Sequence, residues 1–550
     1  MPSRDPMVEL ATHEVANQPP DFAGRNLYLT DLALREAVHR EGAGWAEHDL
    51  ASLGEEAGGE RVLELGDLAN RCPPELRAFD RFGRRVDEVR FHPAYHELMS
   101  LAVGHGIHSV AWTAGRPGGH VAHAAKGYLL AQAEAGVLCP VVMTHAVVPV
   151  LRRQPELEAW LPRVLSDRYD PRAVPAEEKA GATFGMAMTE KQGGSDLRAN
   201  ATRAWPIDGA GAGREYLLTG HKWFCSAPMS DAFLTLAQAD GGLSCFLVPR
   251  WQPDGSRNPF LIQRLKDKLG NRSNASAEIE YNDTWAVMVG EEGRGVPTII
   301  EMVHETRLGT TFAAAGLMRM ALAQALHHTS HRTGFGRLLV RQPLMRSVLA
   351  DLAIESEAAT ALSLRVARAF GREGEAPPFS RLAVAVAKYW LNKRCPAFVC
   401  EALECHGGAG YVEESPLPRL YREAPLNGIW EGSGNVICLD VLRTMDREPE
   451  ATAALFDELD AARGADARLD RWVHRLKDLL ADRAGLEVRA RLLVEHLALA
   501  LQASLLVRHA PTAVADAFCA SRLGGDWGRC FGTLPPDTDF DAIIARALGA

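Results

Sequence analysis

What the chain lacks narrows its class before any motif is considered. Its ten cysteines, Cys72, Cys139, Cys225, Cys245, Cys395, Cys400, Cys405, Cys438, Cys519 and Cys530, are scattered and form no CxxC pair. Zinc-site spacings and the cysteine density of a disulfide scaffold are therefore excluded. Reduced, buried thiols acting as small hydrophobes are expected, and no metal ligands are assigned. There is no Walker A sequence, no GxSxG elbow and no HExxH, which removes P-loop, hydrolase-elbow and zincin chemistry. No short-period repeat occurs. The opening Met1-Pro2-Ser3-Arg4-Asp5-Pro6-Met7-Val8-Glu9 is broken by charge and carries no signal-peptide core. The most apolar window, 492–507, contains Glu495, His496 and Gln502 and is expected to be too short to span a bilayer. A cytoplasmic protein with no membrane partner is expected.

What is present is a long chain with ample core. At roughly 150 residues per domain, 550 residues imply three or four domains, and 47% hydrophobic residues can fill them. Sixty basic against seventy acidic residues leave a formal charge of −10. That argues against a surface devoted to nucleic acid, though not against a basic patch on one domain.

The texture changes twice along the chain. Up to about residue 180 it is rich in Ala, Leu, Glu and His, with helical spacing at Leu32, Leu34, Ala37 and Val38 and again from His123 to Ala135. Pro-containing linkers interrupt it at Gln18-Pro19-Pro20 and Cys72-Pro73-Pro74. From Phe184 short alternating or β-branched runs appear, such as Ala277-Glu278-Ile279-Glu280-Tyr281, separated by Asp208-Gly209-Ala210-Gly211 and Asp240-Gly241-Gly242. Such runs predict a β-barrel or sandwich. After Gly295 the helical period returns, and beyond the polar stretch Asp446-Arg447-Glu448-Pro449-Glu450 the composition stays helical. The expectation is an α+β multidomain protein: an N-terminal helical domain (1–183), a middle β domain (184–288), a helical bundle (289–446) and an extra helical C-terminal domain (447–550).

Five segments can carry chemistry. Met188-Thr189-Glu190-Lys191-Gln192-Gly193-Gly194-Ser195 offers hydroxyls and a backbone that can approach a ligand closely, and it fits a plain tight turn as well. His221-Lys222-Trp223-Phe224-Cys225-Ser226 carries an indole that serves either as core or as a cofactor wall. His331-Arg332-Thr333-Gly334-Phe335-Gly336-Arg337 holds a guanidinium suited to pyrophosphate, or simply a solvated helix end. His406-Gly407-Gly408-Ala409-Gly410-Tyr411 reads as a helix end or as backbone room for a phosphate. In Ile429-Trp430-Glu431-Gly432-Ser433-Gly434-Asn435 the carboxylate is either a base with raised pKa between apolar walls or a first-turn Glu on the next helix.

In order and spacing these segments resemble the acyl-CoA dehydrogenase flavoprotein family, over residues from about 90 to 446. Asn17-Gln18-Pro19-Pro20, Met143-Thr144-His145-Ala146, Pro418-Arg419-Leu420-Tyr421-Arg422-Glu423, the Trp-Glu-Gly-Ser-Gly-Asn string and the long tail resemble its AidB-like branch, named for the adaptive response to alkylation. The resemblance implies an oxidoreductase with FAD between the β domain and the bundle. Met188, Thr189, Trp223, Phe224 and Cys225 would lie along the flavin ring, with Gly194 and Ser195 in the flavin-and-substrate loop. Arg332, Phe335, Gly408 and Gly410 would reach the adenosine pyrophosphate of a neighbouring subunit's FAD, so a homo-oligomer, dimer or tetramer, is implied. Trp430, Gly432, Ser433 and Asn435 would line the cofactor beside Glu431, the catalytic base, and Arg307 would be its active-site neighbour.

The implied reaction removes the α-proton of an acyl-CoA thioester and transfers a β-hydride to flavin N5, with electron-transferring flavoprotein as acceptor. Some relatives place the base directly before the position of Arg307; here that residue is Thr306, which cannot act as a base, and Glu305 is one place off. Three departures, Glu190-Lys191-Gln192-Gly193 in the loop, Trp223-Phe224-Cys225-Ser226 in the strand and Glu404 in the adenosine region, bear on acyl-CoA specificity.

The same branch is associated with duplex DNA binding and protection against alkylation damage, with weak dehydrogenase activity, and that is the alternative function. The tail tests it. Residues 451–550 hold twelve basic and fourteen acidic residues, while 463–529 hold eleven and eight. Arg463, Arg468, Arg471, Arg475, Arg483, Arg489 and Arg491 are dense, but Asp466, Asp470, Asp478 and Asp482 stand ready to pair with them, and pairing is favoured over phosphate binding.

Overall fold

A computed structural model describes residues 6–371, 378–482, 484–525 and 527–549. The N-terminal region is mainly helical. Asp31 caps Leu32–Arg40 by accepting from the Leu34 N–H, and its other oxygen accepts from the Tyr128 hydroxyl at 2.8 Å, tying the first helix to the core. The helices Gly119–Ala133 and Leu138–Ala146 are buried along their whole lengths. They pack on the 37-residue helix Gly295–His331 of the bundle. Close approach sets composition here: a Cβ on Gly127 would lie 2.2 Å from the Phe312 ring.

One element departs from the expected all-helical first domain. After Pro73-Pro74 ends the helix Glu60–Arg71, an antiparallel hairpin forms from β1 (Glu75–Phe79) and β2 (Arg85–Arg90). Its turn is closed by Asp80, which accepts from the Phe82 and Arg84 N–H groups. The hairpin leans on the middle domain: Val89 enters the barrel core, and Arg85 donates to the Ile262 carbonyl at 2.8 Å.

The middle domain is a seven-stranded sheet of β3 (Phe184–Ala187), β4 (Arg203–Pro206), β5 (Glu215–Ser226), β6 (Ala232–Ala239), β7 (Gly242–Pro249), β8 (Phe260–Leu265) and β9 (Ser276–Val289). Its pairings run β4–β5–β9–β7–β6 and return to β4 through Arg203 and Gln238, so the sheet closes on itself. This settles barrel against sandwich. The interior holds Phe233 stacked on Phe260, together with Cys225, Phe246 and Tyr281.

The bundle is built from Gly295–His331, Pro343–Ala369, Pro378–Glu404 and Gly434–Arg447. The tail adds Pro449–Asp460, Ala467–Ala481, Ala490–His509, Thr512–Phe518 and Phe540–Leu548, and its apolar residues join the same core cluster as the bundle. Trp390 of the bundle donates to the Gln502 side chain at 2.9 Å, and Phe398 meets Phe531 edge-on. The expectation that the apolar tail window is too short to span a bilayer is corrected. It lies in a 20-residue helix, Ala490–His509, long and apolar enough by length and composition, but 72% of that window is buried inside the protein. It is the core helix of the tail. Around it, Arg463 pairs with Asp460, Arg468 with Asp466 and Asp516, and Arg489 with Asp482, while Arg491 donates to the Tyr389 hydroxyl. Of the expected acidic partners, Asp466 and Asp482 take arginines, while Asp478 faces His474; Arg483 and residues 1–5 lie outside the described residues.

Candidate active site

Glu431 occupies the turn between the short helix Leu426–Gly428 and the helix Gly434–Arg447. Ser433 is the N-cap position of that helix, so Glu431 stands outside it rather than in its first turn. Its backbone has φ +57°, a left-handed conformation that costs a non-glycine residue energy and is held only where the surroundings enforce it. The enforcement is visible. Arg307 Nε donates to the Glu431 carbonyl at 3.2 Å, and Lys388 Nζ donates to the Gly432 carbonyl at 3.0 Å and to the Asn427 carbonyl at 2.9 Å. Gly432 has φ +105°, and a Cβ there would press on Ile437 at 2.9 Å.

The Glu431 carboxylate turns inward, where Oε2 accepts from the Thr306 hydroxyl at 2.8 Å. Burial raises its pKa above the usual carboxylate range, opposed by the Thr306 hydrogen bond and by the charges of Lys388 and Arg307. Burial also pulls Lys388 down to about 7, against the pull of Glu431. Arg307 is held by Asp440 at 2.7 Å, which Arg381 also contacts at 3.2 Å. Thr306 therefore serves the carboxylate as a hydrogen-bond donor. Glu305 faces the imidazoles of His120 and His145 instead.

The loop after β3 is stapled from beneath. Glu190 and Lys222 form a fully buried ion pair at 2.7 Å, and the carboxylate also accepts from the N–H groups of Ala201 and Thr202 and the Thr202 hydroxyl. Burial pushes the Glu190 pKa up, but Lys222 and these donors more than offset that and hold it near 2. The Trp223 N–H donates to the Thr189 carbonyl at 2.8 Å, joining the first two sequence segments. Gly194 lies so close to Thr189 that a Cβ would sit 2.5 Å from its hydroxyl, whereas Ser195 is exposed.

Strand β5 carries a register shift between Lys222 and Cys225. Lys222 and Cys225 point into the barrel, while Trp223 is half-buried and Phe224 half-exposed on the outer face. Of the three residues expected along a ring, Trp223 and Phe224 present side chains on the outside; the Cys225 thiol is sealed in the core, where burial raises its pKa. The Trp223 face is covered by the Lys266 ammonium at 3.3 Å, with Lys191 and Arg264 each at 5.7 Å.

The barrel and the Glu431 turn meet across an apolar cluster that includes Cys139, Met143, Ile299, Met302 and Val303, against which both Met188 and Trp430 pack. Burial raises the Cys139 thiol to about 11; Lys268 opposes this, the Glu431 charge adds to it, and Ser226 at the end of β5 hydrogen-bonds to it. The Trp430 indole donates to Asn427 at 2.9 Å. Asn435 is exposed on the first turn of its helix.

The remaining residues stand at the other end of the long helix. Arg332 Nη1 donates to the Asn17 carbonyl at 2.9 Å and to the Gln18 side chain at 3.3 Å, while Asn17 Oδ1 accepts from the Thr333 N–H at 2.7 Å. The Asn-Gln-Pro-Pro opening is thus a strap over the Arg332 turn, a role that sequence spacing did not disclose. Phe335 has φ +52° and is fully exposed, as is most of Tyr411. Gly410 is pressed against the Leu403 carbonyl, where a Cβ would come within 2.3 Å, whereas Gly408 opens to free space. Lys388, Asp440 and Asn427, which build the Glu431 turn, are not marked in the sequence because nothing local links them to Glu431.

Residues 17–171 match the N-terminal domain of adaptive response protein AidB, 185–284 the middle domain of acyl-CoA dehydrogenase and 293–445 its C-terminal domain. The chain belongs to the acyl-CoA dehydrogenase family, in its AidB-like branch, and is an oxidoreductase of that flavoprotein class. It is 48% identical to AidB of Escherichia coli (strain K12) over 88% of this chain and 90% of that one. Acyl-CoA dehydrogenase family member 11 of Caenorhabditis elegans is 30% identical over 81% of this chain and 74% of the relative. A crystal structure of Caenorhabditis elegans ACDH-11 in complex with C11-CoA superposes with a TM-score of 0.82 at 25% identity, covering 100% of this chain and 95% of that one.

Proposed function

We propose that this protein is an FAD-dependent acyl-CoA dehydrogenase in which Glu431 removes the α-proton of an acyl thioester. The observation that carries the reading is Glu431 itself: a part-buried carboxylate whose pKa desolvation raises, turned inward from a strained φ by Thr306, Arg307 and Lys388. A weakly acidic carbon requires such a base, positioned and partly desolvated.

The residues present suit FAD. The half-buried Trp223 indole and the backbone at Met188 and Thr189 offer a flat wall and polar edges, and Gly193 and Gly408 leave their backbones open where a Cβ would meet nothing. Lys191, Arg264 and Lys266 gather positive charge at that wall. Gly194, Ser195, Phe224, Gly432, Ser433 and Asn435 complete the surface, with Arg332, Phe335, Gly408 and Gly410 serving a second subunit's cofactor in a homodimer or tetramer. When bound, FAD supplies the acceptor for the β-hydride. Glu431 takes the α-proton on its carboxylate, and its backbone N–H would donate to the developing enolate oxygen. Trp430 and Met188, packed on one apolar cluster, supply an apolar wall beside the Glu431 turn. An electron-transferring flavoprotein would serve as the electron acceptor.

The test is anaerobic flavin reduction across a panel of acyl-CoA thioesters. A yellow protein bleached by one chain-length class is expected; a protein that takes up FAD but is bleached by none would overturn the reading. A second prediction concerns Thr306. In T306V the carboxylate loses the donor that restrains its pKa, so the group titrates at higher pH. Because the base acts only when ionised, the acidic limb of kcat should move to higher pH. The rate near neutrality should fall by roughly tenfold, with recovery under alkaline conditions. An unmoved limb would show that Thr306 does not restrain the base.

A further inference from the structure

Behind the base, three buried helices bring together two imidazoles and a carboxylate. His145 Nε2 lies 3.3 Å from Glu305 Oε2, His120 Nε2 lies 3.6 Å from the same oxygen, and the three ligand atoms all fall within 4.8 Å of one another. His145 is fully buried, and His120 and Glu305 are 5% and 8% exposed. The residues come from Gly119–Ala133, Leu138–Ala146 and Gly295–His331, so no spacing in the sequence could announce the group.

The hydrogen-bonding pattern leaves a gap that a cation would fill. His145 Nδ1 is 3.0 Å from the His108 carbonyl, which can only accept, so the ring proton belongs on Nδ1. The lone pair of Nε2 then faces a carboxylate oxygen that also only accepts. His120 Nε2 makes no hydrogen bond, although it is aimed at the same oxygen. With His120 also presenting its Nε2 lone pair, three electron-pair donors converge in a buried space, an arrangement that a cation among them stabilises. The two imidazole–carboxylate separations suit one, and the imidazole nitrogens need only draw together around it. Four-coordinate bonds of about 2.0–2.2 Å place neighbouring ligand atoms roughly 3.3–3.6 Å apart. The setting also fits a metal-binding imidazole: the Nδ1–H of His145 is anchored on a backbone carbonyl, and its ring is stacked on His123 at 3.7 Å with 9° between planes.

We propose that His120, His145 and Glu305 bind one divalent transition-metal ion of the zinc class, with a further coordination position open to water or a small ligand. Two imidazoles and one carboxylate suit such borderline cations better than calcium or magnesium, which take all-oxygen sets. The ion would clamp the N-terminal helices to the helix turn that carries Thr306 and Arg307. It takes no part in the redox reaction proposed above, and its test does not depend on that reaction.

The experiment uses the full-length flavin-loaded protein, stripped with a chelator and dialysed against Zn²⁺. One zinc per chain is expected, with a zinc-edge X-ray absorption spectrum showing only nitrogen and oxygen neighbours at about 2.0–2.1 Å. H120N and E305Q should weaken zinc binding by at least about tenfold while the flavin spectrum is retained. Absence of stoichiometric zinc would overturn the proposal and leave the pair as imidazolium and carboxylate. Sulfur neighbours would overturn it in favour of a cysteine site, and unchanged binding in both variants would place the ion elsewhere. If either variant fails to fold, the wild-type stoichiometry and absorption spectrum decide alone.

Discussion

E431Q is expected to stop anaerobic flavin reduction by whichever acyl-CoA the unaltered protein oxidises, with a rate loss of roughly 10²–10⁴-fold, while the bound flavin spectrum stays in place. The amide has nearly the shape of the carboxylate, and its oxygen can still accept from Thr306, so the turn held by Arg307 and Lys388 should persist. What disappears is the only basic lone pair in that position. The left-handed backbone does not change the comparison, because neither side chain relieves φ +57°. Glu305 offers no substitute: its carboxylate is turned to His120 and His145. A variant that kept its rate would move the base away from Glu431, and one that lost its flavin would make Glu431 a structural residue.

Much of this site could be read from the sequence, and the reasons for the gaps are physical. A carboxylate between Trp430 and Gly432 is a local signal, and so is the change from a 3.6-residue period to alternation near Phe184. The first-turn reading of Glu431 is equally open in the sequence; it is the placement of Ser433 at the cap that decides against it. The partners that position the Glu431 carboxylate are not local. Thr306 is 125 residues away in sequence and Lys388 is 44 residues from the carbonyl it binds, and helical periodicity marks both only as buried. Strand chemistry explains Cys225. Consecutive residues of a strand face opposite sides, so a run of three cannot all line one surface; the register shift in β5 lets Trp223 and Phe224 share the outside and leaves Cys225 within. The β1–β2 hairpin was hidden because its strands are charged and short, with Val86 and Val89 as the apolar residues of β2. The strap of Asn17 and Gln18 was recognisable as a string, but its docking on Arg332 depends on a fold that brings residues more than 300 apart into contact.

R522A is expected to lower the stability of the protein as a whole by about 3–5 kcal/mol, against a total of about 5–15 kcal/mol for a typical domain. Arg522 is 2% exposed, and its Nη2 sits 2.5 Å from Asp351 and 2.8 Å from Glu355, which are themselves 0% and 1% exposed. Arg394 shares Glu355 at 3.0 Å, and Asp351 also accepts from the Gly532 N–H at 2.8 Å. Removing the guanidinium strands Asp351 in the core with no cation and leaves Glu355 with one. The tail is therefore fastened to the bundle through its charged interior as well as through the apolar core it shares with it. The fastening reaches the base. On Pro378–Glu404, Lys388 holds the Gly432 carbonyl while its neighbours face the tail, Tyr389 accepting from Arg491 and Trp390 donating to Gln502. One helix thus presents consecutive residues to the catalytic turn and to the tail. In thermal unfolding followed by flavin fluorescence and circular dichroism, R522A should lower both transitions together, with flavin leaving as the helices melt. A falling helical transition with flavin release unmoved would show instead that the tail unfolds as an independent domain and that the support of Glu431 ends at the bundle.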